Sequence, residues 1–480
     1  MKNYVWVVLA LGACGDDGQP HSPVDAGGDA AAVDAAPVDV PAERSGSRLK
    51  RQWYEAGGTR QRSGITDSAR DEDCGAQGWT DGSTRCTPVL EVGTVAYRDA
   101  ACTVPLGLAY QSRTCSTPAP RYFVEYDSVG CSDQRIRHFY LRGAEVAAAP
   151  HYQLVGGSCV PEIENADDKY YAMGAEVPAA DLVALTPSEA GSGRLHPTFW
   201  TSADGMITRS GVRDTELDAR CYIAGDPEGS SGACVPSTAA SVNYFADATC
   251  ATPAIATTGS CAVSTFAVTY DGLNCPYAVP TYLRTGAELA GADAYTGSPL
   301  VCTAAGLPAG SHVYGVGAEV TVARPAPSRS GPTRIQNLGW TADGIQLQDG
   351  GLYDQGKATA CYRGPGSDGV QRCLPVAPLV QTYFRDAACT QAVSVARVFG
   401  GDPLCGRPPA PAYALELQLD EIAACTYREP VHVVGAEITT PLYLLAGTCS
   451  PATMTSAAFY EVGPVVPVTD FVPMTLVVDP

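Results

Sequence analysis

The sequence predicts an all-β protein made of three disulfide-rich repeats. Three observations carry this. First, eighteen cysteines fall in three sets: 74, 86, 102, 115, 131, 159; then 221, 234, 250, 261, 275, 302; then 361, 373, 389, 405, 425, 449. The first members recur at periods of 147 and 140 residues, and self-similarity at a fixed period marks a repeat architecture. Second, short segments rich in Tyr, Val and Thr lie between Gly, Pro, Asp and Ser, as in Arg121-Tyr-Phe-Val-Glu-Tyr126, Phe266-Ala-Val-Thr-Tyr270 and Val431-His-Val-Val434. That is the strand signal, and no sustained helical periodicity competes with it. Third, 50 glycines and 37 prolines punctuate the chain, implying many turns.

Turn spacing suggests roughly eight strands per repeat. Eight strands make two four-stranded blades, so three repeats give a six-bladed β-propeller with pseudo-threefold symmetry. The alternative is three tandem small β domains, each with its own core. The propeller is preferred because no flexible linker is evident near 199, although 322–333 reads as a linker. Residues 178–190 are the one stretch able to form a short helix.

The N-terminus opens with Lys2 and the apolar run Tyr4–Leu11, the form of an export signal. Leu11-Gly-Ala-Cys14 follows. This resembles the lipobox of bacterial lipoproteins, and the resemblance implies a signal peptide over 1–13, cleavage before Cys14 and acylation of that cysteine. Lipidation also accounts for the odd total of 19 cysteines, since 18 remain to pair. The Asp/Ala/Pro-rich residues 14–52 offer little to bury and read as a disordered tether; a flexible coil of that length has its ends about 35 Å apart. The repeats then run 53–199, 200–339 and 340–480.

Within them, Trp53, Trp200 and Trp340 each stand 21 residues before the first cysteine of their set. The second cysteine follows Asp81-Gly-Ser-Thr-Arg in repeat 1 and Asp368-Gly-Val-Gln-Arg in repeat 3. The third closes the stretches Tyr97-Arg-Asp-Ala-Ala-Cys102, Tyr244-Phe-Ala-Asp-Ala-Thr-Cys250 and Tyr383-Phe-Arg-Asp-Ala-Ala-Cys389. Gly-Ala-Glu occurs at 143–145, 174–176, 286–288, 317–319 and 435–437, with Gly463-Pro-Val at the sixth place. Two such sites per repeat suggest two related strand units in each. At this density in an exported chain the cysteines form disulfides, and no Cys-x-x-Cys spacing favours a metal. Neighbour pairing is expected: Cys74–Cys86, Cys102–Cys115 and Cys131–Cys159, because the variable gap of 13, 11 or 16 residues looks like a loop pinned at its base.

Each chemical motif has a plainer structural reading. Glu145, Glu176, Glu288, Glu319 and Glu437 recur with the repeat, whereas a catalytic carboxylate pair is needed once. The three tryptophans read as core more readily than as a sugar-stacking platform. Asp-Gly pairs at 81, 204, 343 and 368 lack the alternating oxygens of a calcium loop and read as hairpin turns. The histidines (21, 138, 151, 196, 312, 432) do not cluster, and no nucleophile elbow, Walker loop or dinucleotide fingerprint appears. No catalytic residue, cofactor or metal is expected, and the protein is read as a non-enzyme. A net charge of −20 repels nucleic acid.

Taken together, the lipobox, the tether and the Tyr-Phe-x-Asp-Ala-Ala-Cys repeat resemble cysteine-rich repeat lipoproteins of Gram-negative soil bacteria, a resemblance that brings no activity with it. The expected role is a lipid-anchored binding or interaction scaffold of the cell envelope. The outer membrane or cell surface is favoured over the inner membrane, with the bilayer as one partner and a glycan or envelope protein as another. The rivals are an extracytoplasmic hydrolase with its site on non-repeated loops, and a structural envelope component. A site should be sought where the three copies differ.

Overall fold

The computed structural model describes residues 40–480 apart from 90–91, 111–118, 130–132, 148–149, 156–157, 163–167, 226–231, 258–261, 275–276, 292, 299–300, 400–409, 422–425 and 453–456. Strands dominate, and the helical turns among the described residues are single 3-10 turns such as Ala179–Asp181 and Val468–Asp470. The all-β expectation holds. Each repeat, however, is not a pair of blades. It is a four-stranded meander followed by strands that curl into a small barrel or half-barrel.

In repeat 1 the meander is β1 (Leu49–Ala56), β2 (Thr59–Asp67), β3 (Glu72–Gly78) and β4 (Thr84–Pro88), each antiparallel to the last. The barrel uses β5 (Val92–Tyr97), β6 (Pro105–Tyr110), β7 (Tyr122–Val129) and β8 (Asp133–Val146). A hairpin of β9 (His151–Val155) and β10 (Ser158–Glu162) interrupts it before β11 (Asp168–Glu176) completes it. The order is β5-β6-β11-β8-β7, and β7 returns to β5 in parallel through Val92↔Tyr122, Gly93↔Phe123 and Thr94↔Val124. Closure removes exposed sheet edges. Repeat 2 closes the same way at Ala240↔Ala267 and Ser241↔Val268. Repeat 3 has only the bridge Leu379↔Leu415 and is nearer a half-barrel.

After each barrel the chain comes back to its own meander and then pairs with the next one. In repeat 1 this strand is β12 (Ala184–Glu189): Cys86 donates its backbone N–H to Val183, and β12 pairs with the next meander's first strand, Leu195–Ser202. Cys234 and Cys373 donate likewise to Ala323 and Val472. Ala326–Ser330 then pairs with Ile335–Ala342, and Thr475–Val478 pairs with β1. The three meanders therefore form a closed ring with pseudo-threefold symmetry, and the tandem-domain alternative does not describe it. Residues 178–190 form one 3-10 turn and then β12, consistent with Pro187 lacking an amide for a helix. Likewise, 322–333 is no linker, since it contains the strand Ala326–Ser330.

Part of the core fills the barrels, around Phe123 and Tyr171 in repeat 1 and Tyr383 and Phe459 in repeat 3, and part lies in the seams between meanders. Buried Cys74 and Cys86 pack with Leu49, Leu185, Met206 and, from repeat 2, Trp200. Cys221 and Cys234 pack under Trp340 of repeat 3. Cys361 and Cys373 pack with Met474 and Tyr54 of repeat 1. Thus a disulfide of one repeat meets an aromatic ring of the next, three times around. The structural counterpart of Trp200 and Trp340 is Tyr54, not Trp53. Leu49, Leu195 and Ile335 face Asp67, Asp214 and Asp354 in the three ladders, and the repeat-1 hairpin is one residue shorter. Counting back from the cysteine therefore lands one residue off. The Trp53 indole N–H donates to Asp479 at 3.0 Å instead.

Boundaries at 53, 200 and 340 cut through three first strands; the structural units begin near Ser47, Gly193 and Thr333. Residues 43–52, expected to be disordered tether, are docked on the ring or in its first strand. Arg44 bridges Ile207, and Glu43 accepts from Arg62 and from the Arg209 amide. Residues 1–39, including Cys14 and most of the tether, lie outside the described residues.

Six disulfides lie among the described residues. Cys74–Cys86, Cys221–Cys234 and Cys361–Cys373 staple neighbouring meander strands, as neighbour pairing requires. The others correct it: Cys102 bonds Cys159, Cys250 bonds Cys302 and Cys389 bonds Cys449, across 57, 52 and 60 residues. Neither Cys102–Cys115 nor Cys131–Cys159 forms. The reason is tertiary. The turn ending at Cys102 abuts the β9–β10 hairpin, which joins β5 at Tyr97↔Tyr152. Cys115, Cys131, Cys261, Cys275, Cys405 and Cys425 lie outside the described residues.

Candidate functional site

The recurrent motifs resolve into scaffold. Asp99 accepts from the Thr103 and Val104 amides and the Thr103 hydroxyl, so its carboxylate caps the turn before Cys102. Asp247 and Asp386 do the same. This turn holds Cys102, Cys250 and Cys389 at φ 52°, 51° and 52°, a left-handed conformation that costs a non-glycine residue about 1 kcal/mol. Threonine hydroxyls are the chief cause of the lowered carboxyl pKa at each of the three aspartates.

The Gly-Ala-Glu sites are two halves of one crossing rather than two separate units. In repeat 1 they lie on β8 and β11, where Glu145 pairs with Tyr171 and Glu176 with Tyr140. The same exchange gives Glu288↔Tyr314, Glu319↔Leu283, Glu437↔Tyr460 and Val465↔His432. Register shifts flank each crossing, and the backbones approach closely there. A Cβ on Gly143 would lie 2.6 Å from the Ala172 carbonyl oxygen, and one on Gly174 would lie 2.7 Å from that of Leu141. The five glutamates are exposed and spread over three barrels. Three of them meet a nitrogen side chain two residues before the companion tyrosine: His138 to Glu176 at 2.7 Å, His312 to Glu288 at 2.6 Å and Lys169 to Glu145 at 3.2 Å. His432 donates to the Gly463 carbonyl and meets Glu416. The Asp-Gly pairs at 81, 204, 343 and 368 sit in turns joining neighbouring meander strands. Among the described residues no group of three or more His, Cys, Asp or Glu could hold a metal ion.

Sequence reasoning missed one recurrent device. Arg48, Arg194 and Arg334 donate to the buried carboxylates Asp67, Asp214 and Asp354. Each also donates to a carbonyl on the segment leaving its barrel: Asp181, Thr321 and Asp470. The signal was present, since each aspartate stands seven residues before the first cysteine of its set. The Arg before the second cysteine is related. Arg85 and Arg372 bind the Leu182 and Phe471 carbonyls and pair with Asp81 and Asp368. Repeat 2 has Ala233 there.

The copies differ most where the third meander strand meets the barrel. In repeat 1 this place is filled: the Tyr122 hydroxyl donates to Glu72 at 2.7 Å, and Arg121 pairs with Glu72 at 2.6 Å. In repeat 2 the corresponding residues are Ala219 for Glu72, Phe266 for Tyr122 and Thr265 for Arg121, as the ladders Tyr122↔Leu141 and Phe266↔Arg284 establish. Three side-chain groups are lost, and a pocket of about 390 Å³ opens. Leu217 and Phe266 form its apolar floor, and Ser237, Thr238 and Thr265 bring hydroxyls to it. Two arginines stand where repeat 1 has Asp73 and Leu141. The Arg220 guanidinium lies 5.7 Å from the Trp200 ring centre and that of Arg284 lies 4.7 Å from Phe266. Among the described residues neither makes an ion pair. Asp218, beside them, is bound to Arg213. In repeat 3 the same positions are Thr359, Ala360, Tyr413 and Val433, without a cation pair.

One further non-repeated set is His151, Glu162 and Tyr170. His151 Nε2 lies 3.1 Å from Glu162 and Nδ1 lies 3.3 Å from the Tyr170 hydroxyl. Repeats 2 and 3 place Ala294 and Leu442 at the histidine position, before Tyr295 and Tyr443. The His151 side chain is 0% exposed, so its ring faces other side chains rather than solvent.

Among the described residues no helix is long and apolar enough to cross a membrane, and the six disulfides fit an oxidising, extracytoplasmic compartment. No curated protein and no solved structure matches the chain. The match to a family runs over residues 26–471, spanning the three meanders and barrels, and the chain belongs to DUF7481, a family of unknown function.

Proposed function

We propose that the protein is an exported lipoprotein, anchored in the cell envelope through an acylated Cys14, whose ring of repeats is a binding scaffold. The observation that carries this is the pocket at Arg220 and Arg284. One of three equivalent places has lost the side chains that fill it in repeat 1 and has gained two cations with no ion-pair partner among the described residues, while the surrounding ring is preserved. Divergence at one copy of a symmetric frame is what a ligand site grafted on a scaffold requires. The residues on offer are hydrogen-bond donors and aromatic faces, which suit holding a ligand. Its source is an envelope or external glycan, or an envelope protein. Binding of the full chain in detergent to immobilised glycans and envelope extracts tests this; no saturable binding to any of them counts against it.

The hydrolase reading is favoured by the non-repeated His151–Glu162 pair alone. Its test is release of new ends from glycans or esters by the full chain, abolished by Glu162→Gln. The buried ring argues that this pair pins the β9–β10 hairpin instead.

A further inference from the structure

We infer that the repeat-2 pocket is selective for an anionic sugar residue, a uronate carboxylate being the group held between Arg220 and Arg284. This deepens the scaffold reading and rests on it. The first argument is charge. In a chain of net charge −20, two guanidinium groups face one pocket with no carboxylate paired to either among the described residues. Repeat 1 shows the complementary arrangement: there the carboxylate is internal, supplied by Glu72 and met by Arg121 and the Tyr122 hydroxyl. Repeat 2 lacks the internal anion and gains two cations around the vacated space, while the lining carboxylate Asp218 is paired with Arg213. An external carboxylate restores the balance.

The second argument is positioning. Both guanidinium groups lie over aromatic rings, Arg220 over Trp200 and Arg284 over Phe266. Stacking of this kind restrains the planar fork while leaving its N–H groups free to donate, which suits two-point recognition of a carboxylate. The third argument is the remaining wall. Thr238 and Thr265 present exposed hydroxyls, and a volume of about 390 Å³ is at the small end of ligand sites. Hydroxyls on the wall suit a polyol, and the volume suits one or two sugar rings rather than a folded partner.

The test is calorimetric titration of the full chain in detergent with oligogalacturonate, with its neutral galactose counterpart, with a sugar phosphate and with inorganic phosphate. The expected result is saturable oligogalacturonate binding that weakens with added salt, with no binding of the neutral sugar. Arg220→Ala and Arg284→Ala each weaken it about tenfold or more, the loss expected for one charge-assisted contact, and the lysine variants keep part of it. Arg385→Ala, an exposed arginine of the third repeat paired with Glu461, leaves it unchanged. Three outcomes overturn the inference: no saturable uronate binding, binding insensitive to both arginines, or inorganic phosphate or the sugar phosphate binding as tightly as the uronate. Glycan binding that survives Arg220→Ala/Arg284→Ala keeps the scaffold reading while refuting this one. Cleavage of the bound oligogalacturonate refutes the scaffold reading and keeps the ligand class.

Discussion

Replacing Asp214 by alanine probes how the ring is held. Its side chain is 1% exposed and accepts from Arg194 at 2.8 and 3.0 Å and from the Glu216 and Leu217 amides at 3.0 and 3.2 Å. Removing the carboxylate takes the buried partner from a guanidinium that keeps Glu216 at 2.9 Å, and orphans two backbone donors. Breaking a buried pair by deleting one partner costs about 3–5 kcal/mol. Because the Arg194 side chain is 24% exposed and keeps the Thr321 carbonyl at 2.7 Å, the low end applies, about 3 kcal/mol. Asp214→Asn keeps an acceptor for the amides and loses the charge, so roughly half that cost is expected. Asp67→Ala and Asp354→Ala should cost somewhat less than Asp214→Ala, since each carboxylate accepts from its arginine and from one backbone amide rather than two. Urea unfolding of each variant gives the values as midpoint shifts at unchanged slope. A cost below about 1 kcal/mol would place the pair with ordinary surface ion pairs and refute the reasoning. So would an asparagine variant as damaged as the alanine one.

Three other predictions follow from particular contacts. Peptide mapping without reduction should link Cys102 to Cys159, Cys250 to Cys302 and Cys389 to Cys449; by elimination Cys115 should then appear with Cys131, and a Cys102–Cys115 peptide would contradict the fold. The carboxylates of Asp99, Asp247 and Asp386 are held below the usual range. Their folded value lies below the unfolded one, so their contribution is complete above about pH 4 and is lost as pH falls through the depressed value. Amide shifts at Thr103 and Thr390 should stay constant down to about pH 4 and move only below it; titration at the ordinary aspartate value would show that the hydroxyls do not hold the anion. Burial raises the Glu429 carboxyl, against the pull of the Tyr362 hydroxyl at 2.8 Å. A raised carboxyl destabilises the fold as pH rises through its titration. Glu429→Gln should therefore increase Tm at pH 7 and change it little at pH 4, and a lower Tm at pH 7 would reverse the assignment.

Local chemistry was legible in the sequence where partners are near in the chain. The Cys74–Cys86 staple spans two adjacent antiparallel strands, and the cysteine periods alone exposed three copies. Partners brought together by closure were not legible. Cys102 meets Cys159 only because the β9–β10 hairpin docks on β5, which no spacing records. Gly143 and Gly174 looked like two units because their common crossing is formed by antiparallel pairing of β8 with β11. Trp53 misled for a simpler reason, one residue missing from a hairpin, which shifts Tyr54 into the tryptophan's place. The propeller failed because strand density cannot distinguish a second blade from a closed barrel. The expectation that a site lies where copies differ led to a concrete place. Glu72, Ala219 and Thr359 stand at one structural position with three different consequences: a filled cluster, a cationic pocket and neither.

The pairing of Thr475–Val478 with β1 bears on how the molecule is made. Arg51 and Asp479 meet across 428 positions, so the final seam cannot form until almost the whole chain has been delivered. Until then β1 offers an open row of amide and carbonyl groups, a template for pairing with another chain. Contacts this distant in sequence are also slow to form. A chain whose start folds first must keep that edge unoccupied until its last strand arrives. Synthesis that stops short leaves an adhesive molecule rather than a smaller working one. The surroundings in which the chain folds must therefore shield one strand edge for that whole interval.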